Sequence, residues 1–130
     1  MILEDKELLF KDFCARLPYG TIVCDKNNPT SVGKLVSLDV QNKFATFEVD
    51  EQTGELYTCP TEFVIPYLRP MSSMTKDERK EYMCLSDLIT VDGVLVSSYE
   101  TFDWLIKNHF DFRGLIPKGL ALEAPEGMYK

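Results

Sequence analysis

The chain has one histidine and one tryptophan among its 130 residues, and its seven glycines are scattered singly. Loops that cradle phosphate groups need clustered glycines, so a nucleotide-binding loop is excluded. Any imidazole chemistry would have to use His109. The apolar runs are only a few residues long and charges begin at Glu4, which argues against a membrane-spanning helix and an export signal. We therefore expect a cytoplasmic protein.

The four cysteines include no close pair of the kind that zinc and redox motifs use. We expect reduced, mostly buried thiols, with Cys14 and Cys24 acting as small hydrophobic side chains. The acidic loop 50–55 contains a glycine and three carboxylates but lacks the alternating ligand positions of a calcium loop. The sequence therefore predicts no catalytic residue, no metal ligand and no cofactor.

Acidic residues outnumber basic ones, 21 to 14, giving a net charge of -7 at pH 7. Nucleic-acid binding depends largely on lysine and arginine, so it is disfavoured. A chain that is 45% hydrophobic and 12% aromatic is too apolar for disorder. Its length predicts one domain over 1–130, with sub-regions 1–69 and 70–130.

Two kinds of periodicity divide the first sub-region. Residues 5–16 repeat with helical spacing, with Asp5 as the expected N-cap and Pro18 as a stop signal. From Gly20 the period becomes two, and short strands are expected near 22–24, 35–40, 45–49, 56–58 and 62–68. Closing such a meander removes exposed edges, so we predict a small SH3-like antiparallel β-barrel. Pro66 indicates an edge or the end of the last strand.

The second sub-region is predicted to be α-rich with a short hairpin. Thr75 and Glu78 have capping-box spacing and predict a short helix to about Met83. Asp92-Gly93 between β-branched runs predicts a hairpin. A second capping box at 97–100 begins a helix ending near His109 or Phe110, and residues 120–123 are expected to form a last strand. The fold class is therefore α+β.

Aromatic residues and arginines are concentrated in the second sub-region, and such residues often anchor protein interfaces. Two methionines in the linker after the β half could also form an adaptable contact site. We predict a surface for another protein, or for self-association, among these residues. The candidate partner-binding residues are Trp104, Tyr99, Arg113, Phe112, Met71 and Met74.

Four strings are distinctive: 11–20, 66–75, 108–116 and 119–130. Together they cover about a third of the chain. On these strings the sequence resembles a group of small uncharacterised proteins carried by gut Bacteroides, their phages and their mobile elements. The resemblance implies an intracellular, mobile-element setting, and it assigns no activity to any residue.

Three functional hypotheses follow. The leading one is a non-enzymatic accessory protein that works by contact with another protein, the β half serving as scaffold. The second is a small enzyme that pairs His109 with a cysteine, Cys59 or Cys84 being the candidates. The third is a ligand-binding or nucleic-acid-binding SH3-like module, because small barrels host many functions.

Overall fold

The computed structural model describes residues 2–86, 90–91, 94–95 and 99–129. Helices and strands are mixed along the chain, which confirms the predicted α+β class. The helices are α1 (Leu3–Arg16), α2 (Lys76–Ser86) and α3 (Tyr99–Lys107). The strands are β1 (Ile22–Asp25), β2 (Asn28–Asp39), β3 (Phe44–Asp50), β4 (Glu55–Pro60), β5 (Val64–Leu68), β6 (Thr90–Val91), β7 (Val94–Leu95) and β8 (Leu122–Glu123). Short 3₁₀ turns cover Leu17–Tyr19, Thr61–Phe63 and Met71–Ser73.

Six strands form one sheet in the order β4-β3-β2-β1-β5-β8. The first four strands pair antiparallel with their sequence neighbours, and β5 returns to pair antiparallel with β1. This confirms the predicted meander. Strand β8 pairs parallel with β5 through Tyr67 and Leu68 only, so it does not reach Pro66. Pro66 therefore has a paired strand on one side only, as expected for a proline at an edge.

The predicted SH3-like closure is not confirmed, because the described sheet is open. Its end strands are β4 and β8, and β8 is only two residues long. Helix α1 covers the core instead: Leu9 and Phe13 are buried in the same cluster as the inward side chains of the strands. The helix thus removes the apolar face of the sheet from water without closing its edges.

The inward faces of the strands follow the sequence alternation in β3 but not throughout β2. Ala45 and Phe47 are fully buried, as their spacing predicts. In β2 the pairing register shifts between Leu35 and Ser37. Leu35 before the shift is buried and Leu38 after it packs against the core although the two are three residues apart, because the bulge adds one residue between them; Val36 is exposed.

One hydrophobic cluster draws on both sub-regions of the chain. Leu115 and Leu120 from the C-terminal part lie with Phe13 and Phe47 in the same buried set. The tail is therefore packed against α1 and the sheet. No helix in the described residues is long and apolar enough to cross a membrane.

The predicted start of α1 is wrong by two residues. The helix begins at Leu3 with Ile2 as its N-cap and no side-chain cap. Asp5 lies in the first turn, where a carboxylate still interacts favourably with the helix dipole. The predicted stop is confirmed: α1 ends before Pro18, and Gly20 has a left-handed φ of 66°.

The predicted capping box of α2 is confirmed in both directions. The Thr75 N–H donates to Glu78 Oε1 at 3.0 Å, and the Glu78 N–H donates to Thr75 Oγ1 at 3.1 Å. Strands β6 and β7 pair antiparallel, as a hairpin requires, although Asp92 and Gly93 lie outside the described residues. The second capping box also begins at a residue outside them, Ser97.

Candidate interaction groove

A groove of about 640 Å³ runs along one face of α1. One wall is the helix, and the other is the turn between β2 and β3 together with the end of β4 and the residues that follow it. We call this feature the α1 groove. It is lined by Leu3, Lys6, Glu7, Phe10, Lys11, Cys14, Val40, Asn42, Lys43, Phe44, Pro60, Thr61 and Glu62.

Helical spacing explains the first wall. Leu3, Glu7, Phe10 and Cys14 follow one another by four, three and four residues, so they lie on one side of α1 over about three turns. Leu9 points to the core and is buried. This side of α1 therefore carries the exposed residues Leu3, Glu7 and Cys14 together with Phe10, which is buried.

The opposite wall is held by a tight turn. The Asp39 carboxylate accepts hydrogen bonds from the Gln41 and Asn42 N–H groups, both at 3.1 Å. Lys43 has a left-handed φ of 59°, and its N–H donates to the Asp39 carbonyl at 2.8 Å. These bonds fix the turn that carries Val40, whose side chain lies in the groove wall.

Three apolar residues of the groove are open to solvent, whereas Phe10 is only 6% exposed. Relative exposures are 70% for Leu3, 63% for Val40 and 40% for Phe44. Single exposed apolar residues are common, but a contiguous set marks a contact site. The exposed apolar side chains that line the groove therefore make it a candidate contact surface.

Lysines outnumber carboxylates in the groove lining, three to two, although the chain as a whole carries -7. Lys6 pairs with Glu62 at 2.7 Å. The Lys43 Nζ lies 3.9 Å from the ring centroid of Phe10. Lys11 is exposed and takes part in none of the ion pairs found in the described part of the chain. Lys11 and Lys43 thus remain available to an external anion.

A buried charge cluster lies on another face of α1. Arg16 and Asp12 are fully buried and joined by a 2.7 Å hydrogen bond from Arg16 Nε. Arg16 also donates to the Phe110 carbonyl at 2.7 Å, and Arg113 Nε donates to Asp12 at 3.0 Å. The cluster ties the C-terminal tail to α1, which is a structural role.

His109 does not meet the requirements of the thiol–imidazole hypothesis. Its Nδ1 is buried without a hydrogen-bond partner, and its ring stacks on Tyr129 with centroids 3.6 Å apart. Burial, with the charges of Arg16 and Arg69 adding to the effect, lowers the pKa of His109 to about 4. Within the described residues, no hydrogen bond joins the imidazole to a thiol or a carboxylate. The imidazole is thus neutral near pH 7 but is not aligned with a nucleophile.

The thiols divide into two buried and two exposed groups, all of them free. Cys24 is buried as predicted, whereas Cys14 is exposed in the α1 groove, so its predicted packing is wrong. Burial raises the pKa of the Cys59 thiol to about 11, with smaller effects from Asp25 and Cys24. Because the thiolate is the reactive form, Cys59 is a poor nucleophile near neutral pH.

The predicted partner-binding residues are placed as follows. Trp104 stacks between Tyr82 and Phe110, with centroid distances of 5.9 and 5.6 Å, and its Nε1 donates to Glu81 at 2.9 Å. Its ring therefore fills the contact between α2 and α3. The side chain of Tyr99 lies outside the described residues.

The other four candidates have the following surroundings. Phe112 lies 5.7 Å from Phe102 and 4.7 Å beneath the guanidinium of Arg113, measured to ring centroids. Met71 and Met74 are half-buried at a 3₁₀ turn. A surface formed by these residues stays a prediction.

Sequence reasoning missed the groove because its walls are far apart in the chain. Val40 was assigned to a strand, Phe44 lay between two predicted strands, and Leu3 lay before the predicted helix. The available signal was the offset stripe Leu3, Phe10 and Cys14 beside the core stripe.

Among the residues that the structure describes, no group of three or more histidine, cysteine or acidic side chains could hold a metal ion. The lining of the groove combines apolar side chains with three lysines and two glutamates. Comparison with protein-family models, with curated proteins and with solved structures found no match to this chain.

Proposed function

We propose that this protein is a non-enzymatic binding protein that holds a segment of another protein in the α1 groove. The observation that carries the proposal is a groove between two walls in which Leu3, Val40 and Phe44 are exposed to solvent. Burying exposed leucine, valine and phenylalanine side chains against a partner is favourable by about 25 cal/mol per Å² of apolar area.

The shape of the groove favours a macromolecular segment over a small molecule. Small-molecule sites usually enclose most of the ligand surface. Here Leu3 and Val40 stay more than half exposed, so one side of a small apolar ligand would remain exposed to water. A segment with an apolar face and a polar face fits an open trough better, because its polar face can stay in water.

The scaffold is the open sheet, in which β1 lies between β2 and β5. Strand β5 returning to β1 is an arrangement from which a small SH3-like barrel can close, and such a barrel remains our proposal for the fold family. We also propose a cytoplasmic accessory role in a phage or mobile element of gut Bacteroides. The distinctive strings in the sequence and the free cysteines support this setting.

The test is a capture experiment with three forms of the protein as bait in Bacteroides lysate. The groove variant carries Leu3→Asp and Val40→Asp, which place carboxylates on exposed sites. The matched control is Leu56→Asp, because Leu56 is 58% exposed but lies outside the groove. We expect a saturable partner that the wild type and the control retain and the groove variant loses. A partner held equally by all three forms would refute the proposal, as would the absence of any saturable partner.

A further inference from the structure

We infer that the segment held in the α1 groove is an amphipathic α-helix whose apolar stripe is flanked by aspartate or glutamate. This inference rests on the proposed function and specifies the partner. It is argued from the backbone hydrogen bonds, the length and the charge of the groove.

The backbone of the groove has little to offer an extended peptide. Beyond its first turn, α1 satisfies its own N–H and C=O groups. The Lys43 N–H is bonded to Asp39 and its carbonyl accepts from Thr61 at 2.9 Å. Phe44 is paired on both sides, with Asp39 in β2 and Pro60 in β4. Added strands gain affinity from free edge groups, so a segment seated here must satisfy its own backbone, as a helix does.

The length of the groove suits a short helix. From Leu3 to Cys14 the helical wall extends about 16 Å at 1.5 Å per residue. A partner helix of about 11 residues spans that length and presents apolar residues at i, i+3, i+4 and i+7. Three turns are marginally stable alone, so such a segment would gain helicity on binding.

The charged residues of the groove lining determine which charge the partner helix should carry beside its apolar stripe. Once Lys6 is paired with Glu62, the remaining charged side chains of the lining are Lys11, Lys43 and Glu7. The excess is positive in a protein whose net charge is -7. Carboxylates beside the apolar stripe of the partner would meet Lys11 and Lys43, and lysines there would meet like charge.

The test uses three synthetic peptides of about 16 residues that share one leucine-phenylalanine stripe. One has glutamate flanks, one has lysine flanks, and one has glutamate flanks with a central proline that breaks the helix. Binding is measured by amide chemical shifts of the full chain at low and high salt. The same titrations are repeated on the Lys11→Glu, Lys43→Glu double variant and on the Leu56→Asp control.

We expect the glutamate peptide to shift amides of α1 and of residues 40–44, and to bind about tenfold more tightly than the lysine peptide at low salt. High salt should reduce the difference in affinity between the two charged peptides, and the double variant should reverse their order.

Equal binding of the two charged peptides would overturn the acidic assignment, and undiminished binding of the proline peptide would overturn the helical one. Failure of all three peptides, while the groove variant still loses its captured partner, would refute this inference and leave the proposed function standing. Dodecanoate is titrated in the same way as a lipid-like probe. If it shifts the amides of the groove and no peptide does, a lipid ligand would replace both the proposed function and this inference.

Discussion

At the residue scale, Asp12 is the most consequential charge in the protein. It is fully buried and binds the guanidinium groups of Arg16 and Arg113. One carboxylate thereby compensates two cations, and among the described residues Arg16 Nη1 is already without a hydrogen-bond partner. Removing the negative charge leaves those cations with no counter-ion at a buried site.

We predict that Asp12→Asn lowers the free energy of unfolding by about 3 kcal/mol, because breaking a buried ion pair strands its partners. Urea denaturation measures this loss. The matched control is Glu51→Gln, which removes the solvent-exposed pair with Lys34 at 2.9 Å and should change stability little. Equal effects of the two substitutions would contradict the role given to Asp12.

His109 predicts a pH dependence with a definite sign. Its pKa falls from 6.5 to about 4 in the folded chain, chiefly through burial, so the unfolded chain binds a proton in that window before the folded chain does. The contribution of His109 to stability is fully present above pH 6.5 and is lost as the pH falls toward 4, by about 3 kcal/mol. His109→Asn keeps a side chain that tolerates the left-handed φ of 66° and should remove this slope. A variant whose stability falls with the wild-type slope between these pH values would show that His109 is not the cause.

At the element scale, the pairing of β2 with β3 depends on the absence of a side chain at Gly33. A Cβ atom there would lie 2.1 Å from the Glu48 carbonyl oxygen, which is backbone and cannot move aside alone. The two strands must therefore separate locally if any larger residue is introduced.

We predict that Gly33→Ala destabilises the protein by about 2 to 3 kcal/mol through this overlap. The loss should appear in thermal or urea unfolding, with faster amide exchange in β2 and β3 than in α1. Ser37→Ala, in the same strand, is the control and should cost much less. A Gly33→Ala protein as stable as the wild type would mean that the strands are not so close.

A structural feature could be predicted from the sequence when the residues that cause it are close together in the chain. The α2 capping box is formed by Thr75 and Glu78, which are three residues apart, so the sequence contains the whole motif. The shared inward position of Leu35 and Leu38, three residues apart, depends instead on a register shift against β3, which alternation within one strand does not reveal. The same holds for Pro66, whose free side depends on how far β8 extends.

At the scale of the whole molecule, the α1 groove arises because a helix, rather than a further strand, covers the core. Its walls come from residues 3–14 and 40–62, so only their packing creates it. The sequence-based surface around Trp104 was sought among aromatic residues, and Trp104 is half-buried and stacks with Tyr82 and Phe110. Composition indicated an interacting protein, but the position of the groove required the three-dimensional structure.

Two exposed cysteines allow the groove and the Trp104 surface to be compared directly. Cys14 lines the α1 groove, and Cys84 lines a separate shallow pocket with Trp104. Cys24 and Cys59 are buried and their pKa values are raised, mainly by burial, so a maleimide reagent should spare them. Cys84→Ser with a bulky maleimide on Cys14 blocks only the groove, and Cys14→Ser labelled on Cys84 blocks only the other pocket.

The most direct test of the binding role of the α1 groove is therefore capture of the partner by these two labelled proteins, each compared with its unlabelled form. We predict that the label on Cys14 abolishes capture and that the label on Cys84 leaves it unchanged. Capture that survives the label on Cys14 and is lost with the label on Cys84 would contradict the account and assign binding to the surface around Trp104.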